Sequence, residues 1–195
     1  MPKVKDEYRE EVKTRVILAA LDVFSRCGYH DTKMDDIAEK AAVSKGTLYN
    51  QFSGKEDLFR GITEYLFRQE MDCCDVLITE EDPVKSFGVM FGEITKLYEG
   101  KESFLFEIFS TMFRDVKMRE IMTEAFLKEI EGFAQIITAM QSEGKIRQDI
   151  DPRSFSILIM ALFMGIFTSR MIFGKDMVPE RELMDTGLKS VLFEK

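Results

Sequence analysis

Apolar residues recur every three or four positions along nearly the whole chain, which is the spacing that places them on one face of an α-helix. The pattern is clear over residues 10–27, where charged residues fill the opposite face and Gly28 follows as the expected C-terminal cap. Two shorter amphipathic segments, 33–41 and 45–51, come next. No segment has the period of two that predicts a strand, so the sequence predicts an all-α fold.

Capping residues divide the rest of the chain into further helices. A T-x-x-D spacing begins at Thr32 and an S-x-x-E spacing begins at Ser53, and each predicts a capping box at a helix start. Asp-Pro pairs at 82–83 and 151–152 predict two more starts, with proline at the first helical position. The pattern predicts nine helices, over about 10–27, 33–41, 45–51, 54–78, 83–99, 103–113, 115–143, 152–173 and 179–195.

The composition is that of a folded globular protein with an acidic body. Of 195 residues, 45% are hydrophobic and 32% charged, which excludes general disorder. The net charge of −8 argues against a protein that coats nucleic acid through a broadly basic surface. Residues 1–60 contain 11 basic and 11 acidic residues, so this part is neutral and leaves room for a local positive strip.

The cysteines and the N-terminus indicate a reducing, cytoplasmic location. The three cysteines, Cys27, Cys73 and Cys74, have no zinc-site spacing, and the single histidine cannot complete one. The adjacent pair is interpreted as incidental thiols, with a redox sensor as the alternative. We expect no signal peptide after the charged start and no membrane span, because the longest uninterrupted apolar run, 157–167, is short of about 18 residues.

Two short helices joined by a tight break are typical of a helix-turn-helix motif. A recognition helix enters a major groove about 12 Å wide, so its outer face near the N-terminus must be small and polar. Segment 44–51 meets this requirement. The nearby Asp35, Asp36 and Glu39 leave open the alternative that the two helices are simply exposed to solvent and do not bind DNA. The candidate contacts to bases or phosphates are Ser44, Lys45, Gly46, Thr47, Tyr49, Asn50 and Lys55.

The order of these residues along the chain is also similar to that of a known protein family. The series ILAALDVF at 17–24, AAVSKGTLYNQF at 41–52 and KEDL at 55–58 resembles the DNA-binding domain of the TetR family of bacterial transcriptional regulators. The resemblance covers roughly residues 10–60. It implies a helix-turn-helix DNA-binding domain at 1–54 and a larger helical effector-binding and dimerisation domain at 55–195.

The resemblance further implies a homodimer that binds a palindromic operator, usually as a repressor, and that a small molecule releases from DNA. It adds Lys33 to the DNA contacts. One departure concerns the turn, since family members often have glycine where this chain has Ala42. If that residue is left-handed, alanine costs about 1 kcal/mol.

The C-terminal part is rich in phenylalanine and methionine, which suit the walls of a pocket for varied apolar guests. We therefore expect a hydrophobic or aromatic effector, with an ordinary hydrophobic core as the alternative. The candidate effector-binding residues are Phe104, Phe109, Met112, Phe113, Phe133, Met140, Phe163 and Phe167.

The eighth predicted helix, 152–173, is apolar on nearly every side and must be covered all round. In a chain this small a partner subunit is the natural cover. The family resemblance implies a four-helix bundle across the dimer axis, built from helices 8 and 9 of each subunit.

Enzymatic chemistry has little support in the sequence. The chain has one histidine, no phosphate-binding glycine loop and no G-x-S-x-G motif. We therefore expect no catalytic residues, no metal site and no cofactor. The alternative to a regulator is a helical carrier that holds a hydrophobic ligand and does not bind DNA.

Overall fold

The computed structural model of the protein describes residues 2–174 and 177–192, and within those ranges it contains ten α-helices and no strand. The expected all-α fold is confirmed. The end of the ninth predicted helix, 193–195, lies outside the described residues. The helices are α1 (Pro2–Cys27), α2 (Met34–Lys40), α3 (Lys45–Gln51), α4 (Lys55–Asp72), α5 (Asp75–Thr79), α6 (Pro83–Tyr98), α7 (Glu102–Arg114), α8 (Val116–Ser142), α9 (Pro152–Phe173) and α10 (Glu180–Leu192).

The predicted helix 54–78 is in fact two helices, because the backbone turns at Cys73 and Cys74. Their N–H groups donate to the carbonyl oxygens of Glu70 and Met71, three residues back, at 3.0 Å each. Bonds of this kind tighten the last turn of α4 and end it before the five-residue α5. No proline or glycine lies at the break, so the sequence did not indicate it.

The first capping box is shifted by one residue from its predicted place. Lys33, not Thr32, precedes α2, and the N–H of Lys33 donates to Asp36 Oδ2 at 3.0 Å. Thr32 is buried, and its hydroxyl donates to the carbonyl oxygen of Gly28 at 2.7 Å. Two acidic residues are adjacent at 35–36, which left the spacing ambiguous by one position.

The second predicted capping box, which begins at Ser53, is also wrong by one residue, because two acidic residues are again adjacent. Both helix starts predicted from the Asp-Pro pairs are confirmed. Before α4 the N–H of Ser53 donates to Asp57 Oδ2 at 2.8 Å, and Glu56 does not close the box. Asp82 accepts N–H bonds from the first turn of α6, and Asp151 does so for α9. The proline that follows each Asp has no N–H to leave unsatisfied.

The chain forms two compact units that are not simply its two ends. The first unit comprises Met1–Leu66 and Gly100–Ala125, and the second comprises Phe67–Glu99 and Phe126–Lys195. The first therefore holds α1 to α3, α7 and the opening parts of α4 and α8. The division expected after residue 54 concerns functional parts of the chain and stays a prediction.

Aromatic rings form the core of the first unit. The ring of Phe24 lies 6.5 Å from the rings of both Phe59 and Phe104, and Tyr29 lies 5.5 Å from Phe59, measured between centroids. Leu48 is fully buried and anchors α3. Burying one such side chain stabilises the fold by about 1.5–3 kcal/mol.

The second unit has a separate core, built from α5, α6, α8, α9 and α10. Phe87 and Phe155 meet edge to face at 5.8 Å, and Phe91 lies 5.0 Å from Phe163. The core also includes Cys74, Leu77, Met90, Phe133, Ile137, Met140, Ile159, Met184 and Leu188. The Cys74 thiol is therefore buried, as expected for a packing residue, and burial raises its pKa to about 12.

Helix α9 leaves much of its apolar surface uncovered. Its 22 residues are long and apolar enough to cross a membrane, by length and composition alone, although no uninterrupted apolar run is that long. Only 28% of its most apolar stretch is buried within the chain. The exposed large side chains are Ile157, Leu158, Met164, Ile172 and Phe173. A single copy of the chain therefore does not supply the cover that this helix requires.

Candidate nucleic-acid interface

Helix α3 presents its polar residues to solvent and is held to the first unit by its apolar side. Leu48 and Phe52 are buried, whereas Tyr49 is 50% exposed. Ser44, Lys45, Gly46 and Asn50 are exposed as well, and Thr47 is half-buried. The structure thus brings the predicted residues from 44 to 50 together on the outer surface of one two-turn helix.

The start of α3 is fixed by Ser44. Its Oγ accepts the N–H of Thr47 at 3.1 Å, and the two hydroxyl groups lie 2.8 Å apart. Because a serine N-cap satisfies a donor that the first turn would otherwise leave free, it stabilises the helix by about 1 kcal/mol. Both hydroxyl groups keep further hydrogen-bonding capacity toward solvent.

The turn between α2 and α3 contains a left-handed alanine. Ala42 has φ 52°, the positive value suspected from its place in the sequence. The N–H of Val43 donates to the carbonyl oxygen of Ala38, and that of Ala42 to Glu39, both at 3.0 Å. These two bonds form the Schellman motif that ends a helix, usually with glycine at the left-handed position.

Gly46 lies in the first turn of α3 without an internal reason for being glycine. A Cβ atom added there would meet only Ser44 Oγ, at an unstrained 3.8 Å. Glycine inside a helix destabilises it by about 0.5–1 kcal/mol relative to alanine. The missing side chain therefore leaves room on the outside, where a nucleic-acid backbone or base edge would lie.

Lys45 is paired within the motif. Its Nζ lies 2.6 Å from Asp35 Oδ2, which raises the pKa of Lys45 through a hydrogen bond and the opposite charge. Both side chains are more than half exposed. Lys33 is exposed at the start of α2. Lys33 and Lys45 are thus both exposed, and Lys45 is partly neutralised by a neighbouring carboxylate.

Lys55 has an internal role that sequence reasoning did not foresee. Its Nζ donates to the carbonyl oxygens of Tyr29, His30 and Thr32 at 2.6, 2.9 and 3.0 Å. It also lies 4.6 Å from the centre of the Tyr29 ring, and burial lowers its pKa. Since an ammonium group has three N–H donors, a phosphate contact at Lys55 requires the loss of at least one of these bonds.

A polar cleft of about 790 Å³ opens beside Lys55 in the first unit. The loop at 29–30, the start of α4 and the start of α8 line it. Across it, Lys117 pairs with Glu56 at 3.0 Å, and Arg60 pairs with Glu124. The cleft combines three distant chain segments, so no local motif could have indicated it.

The eight predicted effector-binding residues divide between the two units. Four belong to the first unit, where Phe104 is part of the aromatic core and Phe113 is 84% exposed at the end of α7. Phe109 and Met112 are half-buried there. The remaining four belong to the second unit: Phe133 and Met140 are buried, and Phe163 and Phe167 are half-buried. The eight residues thus divide between two units, and their role in binding an effector stays a prediction.

A pair of carboxyl groups lies beside Tyr98 in the second unit. Tyr98 donates its hydroxyl hydrogen to Glu70 Oε1, and Glu70 and Glu129 share a hydrogen bond. Burial raises the pKa of Glu70 to about 7 and raises that of Glu129 well above its ordinary value. This group could not be predicted from the sequence, since each carboxylate lies among other charged residues of its helix.

Within residues 2–174 and 177–192, no three His, Cys, Asp or Glu side chains come together in a way that could hold a metal ion. The outer face of α3 carries hydroxyl, amide and ammonium groups. Such groups bind phosphates and base edges. Fold and surface together define a helix-turn-helix DNA-binding protein.

Comparison with known proteins supports this class. Residues 16–62 match the family described as "Bacterial regulatory proteins, tetR family". The HTH-type transcriptional regulator UidR of Escherichia coli K12 is 26% identical over 189 residues, which cover 94% of this chain and 92% of UidR. The resemblance to the TetR family of transcriptional regulators is therefore confirmed over residues 16–62.

Solved structures share the fold over nearly the full length. Salmonella enterica GusR superposes with a TM-score of 0.73 at 22% identity and covers 93% of this chain and 95% of its own. FadR from Bacillus subtilis, solved in complex with stearoyl-CoA, gives 0.70 at 19% identity, with 93% of this chain and 98% of its own covered. An N-terminal helix-turn-helix domain followed by a larger helical domain is therefore the architecture of this protein.

Proposed function

We propose that the protein is a repressor that binds a palindromic operator as a homodimer and is released by a hydrophobic small molecule. The observation that carries the DNA part is α3, a short helix with an exposed polar face and a glycine whose missing side chain has no internal explanation. The proposed contacts are Lys33, Ser44, Lys45, Gly46, Thr47, Tyr49 and Asn50, with Lys55 contributing through the loop that it holds.

These contacts divide by chemistry. The Asn50 amide has the donor and acceptor geometry that pairs with adenine in the major groove. Tyr49 and Lys33 suit phosphates, which position the protein without reading sequence. Lys45 reaches DNA after leaving Asp35, so it exchanges a carboxylate partner for a phosphate.

The proposed dimer uses α9 and α10, the eighth and ninth helices of the sequence analysis. Ile157, Met164 and Leu183 are exposed on these helices, and the small residues Ala161 and Gly165 between them allow close helix approach. Covering this surface with a second copy gives α9 the burial that it needs. Two recognition helices then read successive major grooves if they are about 34–36 Å apart.

The proposed effector is apolar or aromatic and binds in the second unit. Phe163 and Phe167 are half-buried there, and Phe163 packs against a core that includes Met90, Met140 and Met184, side chains that adapt to varied shapes. A structural neighbour, FadR, was solved with stearoyl-CoA, which supports an apolar ligand for this chain as well. The effector can lower DNA affinity only by as much as it prefers the non-binding state. Such a regulator acts in the cytoplasm, where bacterial DNA lies.

The test is operator binding by matched variants. The probe is the duplex upstream of the protein's own gene, read by fluorescence anisotropy at fixed salt. Thr47→Ala should weaken binding about tenfold, the effect of roughly 1.4 kcal/mol, while dimer mass is unchanged. Thr123→Ala, an exposed threonine of α8, is the control. Equal binding by both variants would contradict the proposed reading surface.

A further inference from the structure

Two hydrogen bonds to the backbone of Tyr29 hold the loop between α1 and α2. The N–H of Tyr29 donates to Glu107 Oε1 of α7 at 3.0 Å, and the carbonyl oxygen of Tyr29 accepts from Lys55 Nζ of α4 at 2.6 Å. All three residues lie in the first compact unit. An anion and a cation thus bind opposite ends of the same residue, which fixes the loop more firmly than neutral partners would.

Glu107 is unusual for its helix. It is the single charged residue between positions 103 and 113, in a stretch otherwise built of apolar and hydroxyl side chains. Gly28, next to Tyr29, has φ +78°, and a Cβ added there would lie 3.1 Å from Glu107 Oε1. The glycine therefore serves both the left-handed turn and the close approach of the carboxylate.

The loop that Glu107 and Lys55 hold leads directly to the DNA-binding helices. The Thr32 hydroxyl donates to the carbonyl oxygen of Gly28 at 2.7 Å, and α2 starts with Lys33 as its N-cap. α2 is joined to α3 by the turn in which the N–H of Val43 donates to the carbonyl oxygen of Ala38 and that of Ala42 to Glu39. A short chain of bonds thus joins Glu107 to the helix proposed to enter the groove.

We infer that Glu107 is a positioning residue for DNA binding, which sets the orientation of α2 and α3 by accepting the Tyr29 N–H. This inference rests on the proposed function.

The experiment compares Glu107→Ala with Glu107→Gln in the full-length protein. The Gln amide oxygen can still accept the Tyr29 N–H, whereas Ala cannot. We expect Glu107→Ala to weaken operator binding about tenfold and Glu107→Gln to stay within about threefold of wild type. Glu64→Ala, an exposed glutamate of α4, is the control and should match wild type.

Hydrogen exchange gives a readout that does not depend on DNA. Glu107→Ala should speed amide exchange at residues 29–33, and Glu107→Gln should restore slow exchange there. Equal weakening by Ala and Gln would overturn the acceptor role, as would unchanged affinity in the Ala variant. A wild type that ignores the operator while exchange responds as expected would instead overturn the proposed function, and with it the consequence for DNA binding.

Discussion

Lys45 Nζ lies 2.6 Å from Asp35 Oδ2, so the first cation of the proposed recognition helix is bound to a carboxylate of the preceding helix. The pair is exposed on both sides, and an exposed ion pair stabilises a fold by about 1 kcal/mol at most. Its main effect is therefore on the surface charge that approaching DNA meets.

Removing the carboxylate should strengthen binding to any duplex. Asp35→Asn deletes a negative charge and frees Lys45 for phosphate, so we expect a several-fold gain in non-specific affinity. The slope of log affinity against log salt should steepen by up to about one per protomer. Asp72→Asn, an exposed aspartate of the second unit, is the control, and an equal gain there would contradict the local explanation.

Glycine in place of Ala42, in the turn before α3, should stabilise the protein. Ala42→Gly relieves the left-handed strain of about 1–2 kcal/mol but loses about 0.4–1 kcal/mol through the freer unfolded chain. The net gain in free energy of unfolding should be about 0.5–1 kcal/mol, measured by chemical denaturation. Ala41→Gly, one residue earlier at φ −75°, should destabilise instead. A loss for both variants would show that Ala42 is not strained.

Gly61 is required by packing rather than by backbone conformation. A Cβ there would lie 2.6 Å from Cε1 of the buried Phe52, at the end of α3. Gly61→Ala should therefore destabilise the protein by about 1–3 kcal/mol. Gly88→Ala, in an open position of α6, should be neutral or stabilise by up to about 1 kcal/mol. Thermal unfolding distinguishes the two, and equal shifts would contradict the packing account.

Stability should fall as pH rises from about 4.5 to about 7. The folded protein holds the Glu70 proton up to a pKa of about 7, whereas the unfolded chain releases it near its ordinary pKa of 4.5. Between these values the folded state binds more protons, so the free energy of unfolding falls by up to about 1.4 kcal/mol per pH unit and then levels off.

A matched pair of variants assigns this pH dependence. Glu129→Gln removes the second carboxyl group whose pKa burial raises, so it should reduce the decline but leave the part that Glu70 contributes. Glu131→Gln changes an exposed glutamate of the same helix and should leave the profile as it is. A flat wild-type profile would show that the carboxyl pair with Tyr98 does not retain its proton.

The dimer should depend on the open face of α9. Ile157→Lys places a charge among side chains that we propose to be covered by the partner, and it should lower the mass measured by light scattering from dimer to monomer at micromolar concentration. Leu127→Lys, on the comparably exposed α8, should leave the mass unchanged. A wild-type monomer would contradict the proposed interface.

Much of the fold could be predicted because helix periodicity and capping are local. The Ser44 cap, both Asp-Pro starts and the left-handed Gly28 all follow from residues within one or two turns. The break at Cys73 could not be predicted, since it has no glycine or proline. Likewise, the pairs of adjacent acidic residues left the predicted position of each capping box ambiguous by one residue.

The candidate site was predictable only in part, for a different reason. The outer face of α3 is a single short segment, and its residue types suffice to indicate an exposed polar helix. The bonds of Lys55 to the 29–32 loop and of Glu107 to Tyr29 join positions 23 to 78 residues apart. Composition cannot indicate such pairs, and it does not show that the predicted effector-binding residues divide between two units.

Competition between two duplexes tests the central claim most directly. Wild-type protein is titrated into the duplex upstream of its own gene and into a shuffled duplex of equal length and composition, over a range of salt. The account predicts binding at least about a thousandfold tighter to the first at physiological salt, in the ratio of one dimer per palindrome. Equal affinity for both duplexes, or none for either at low salt, would contradict it.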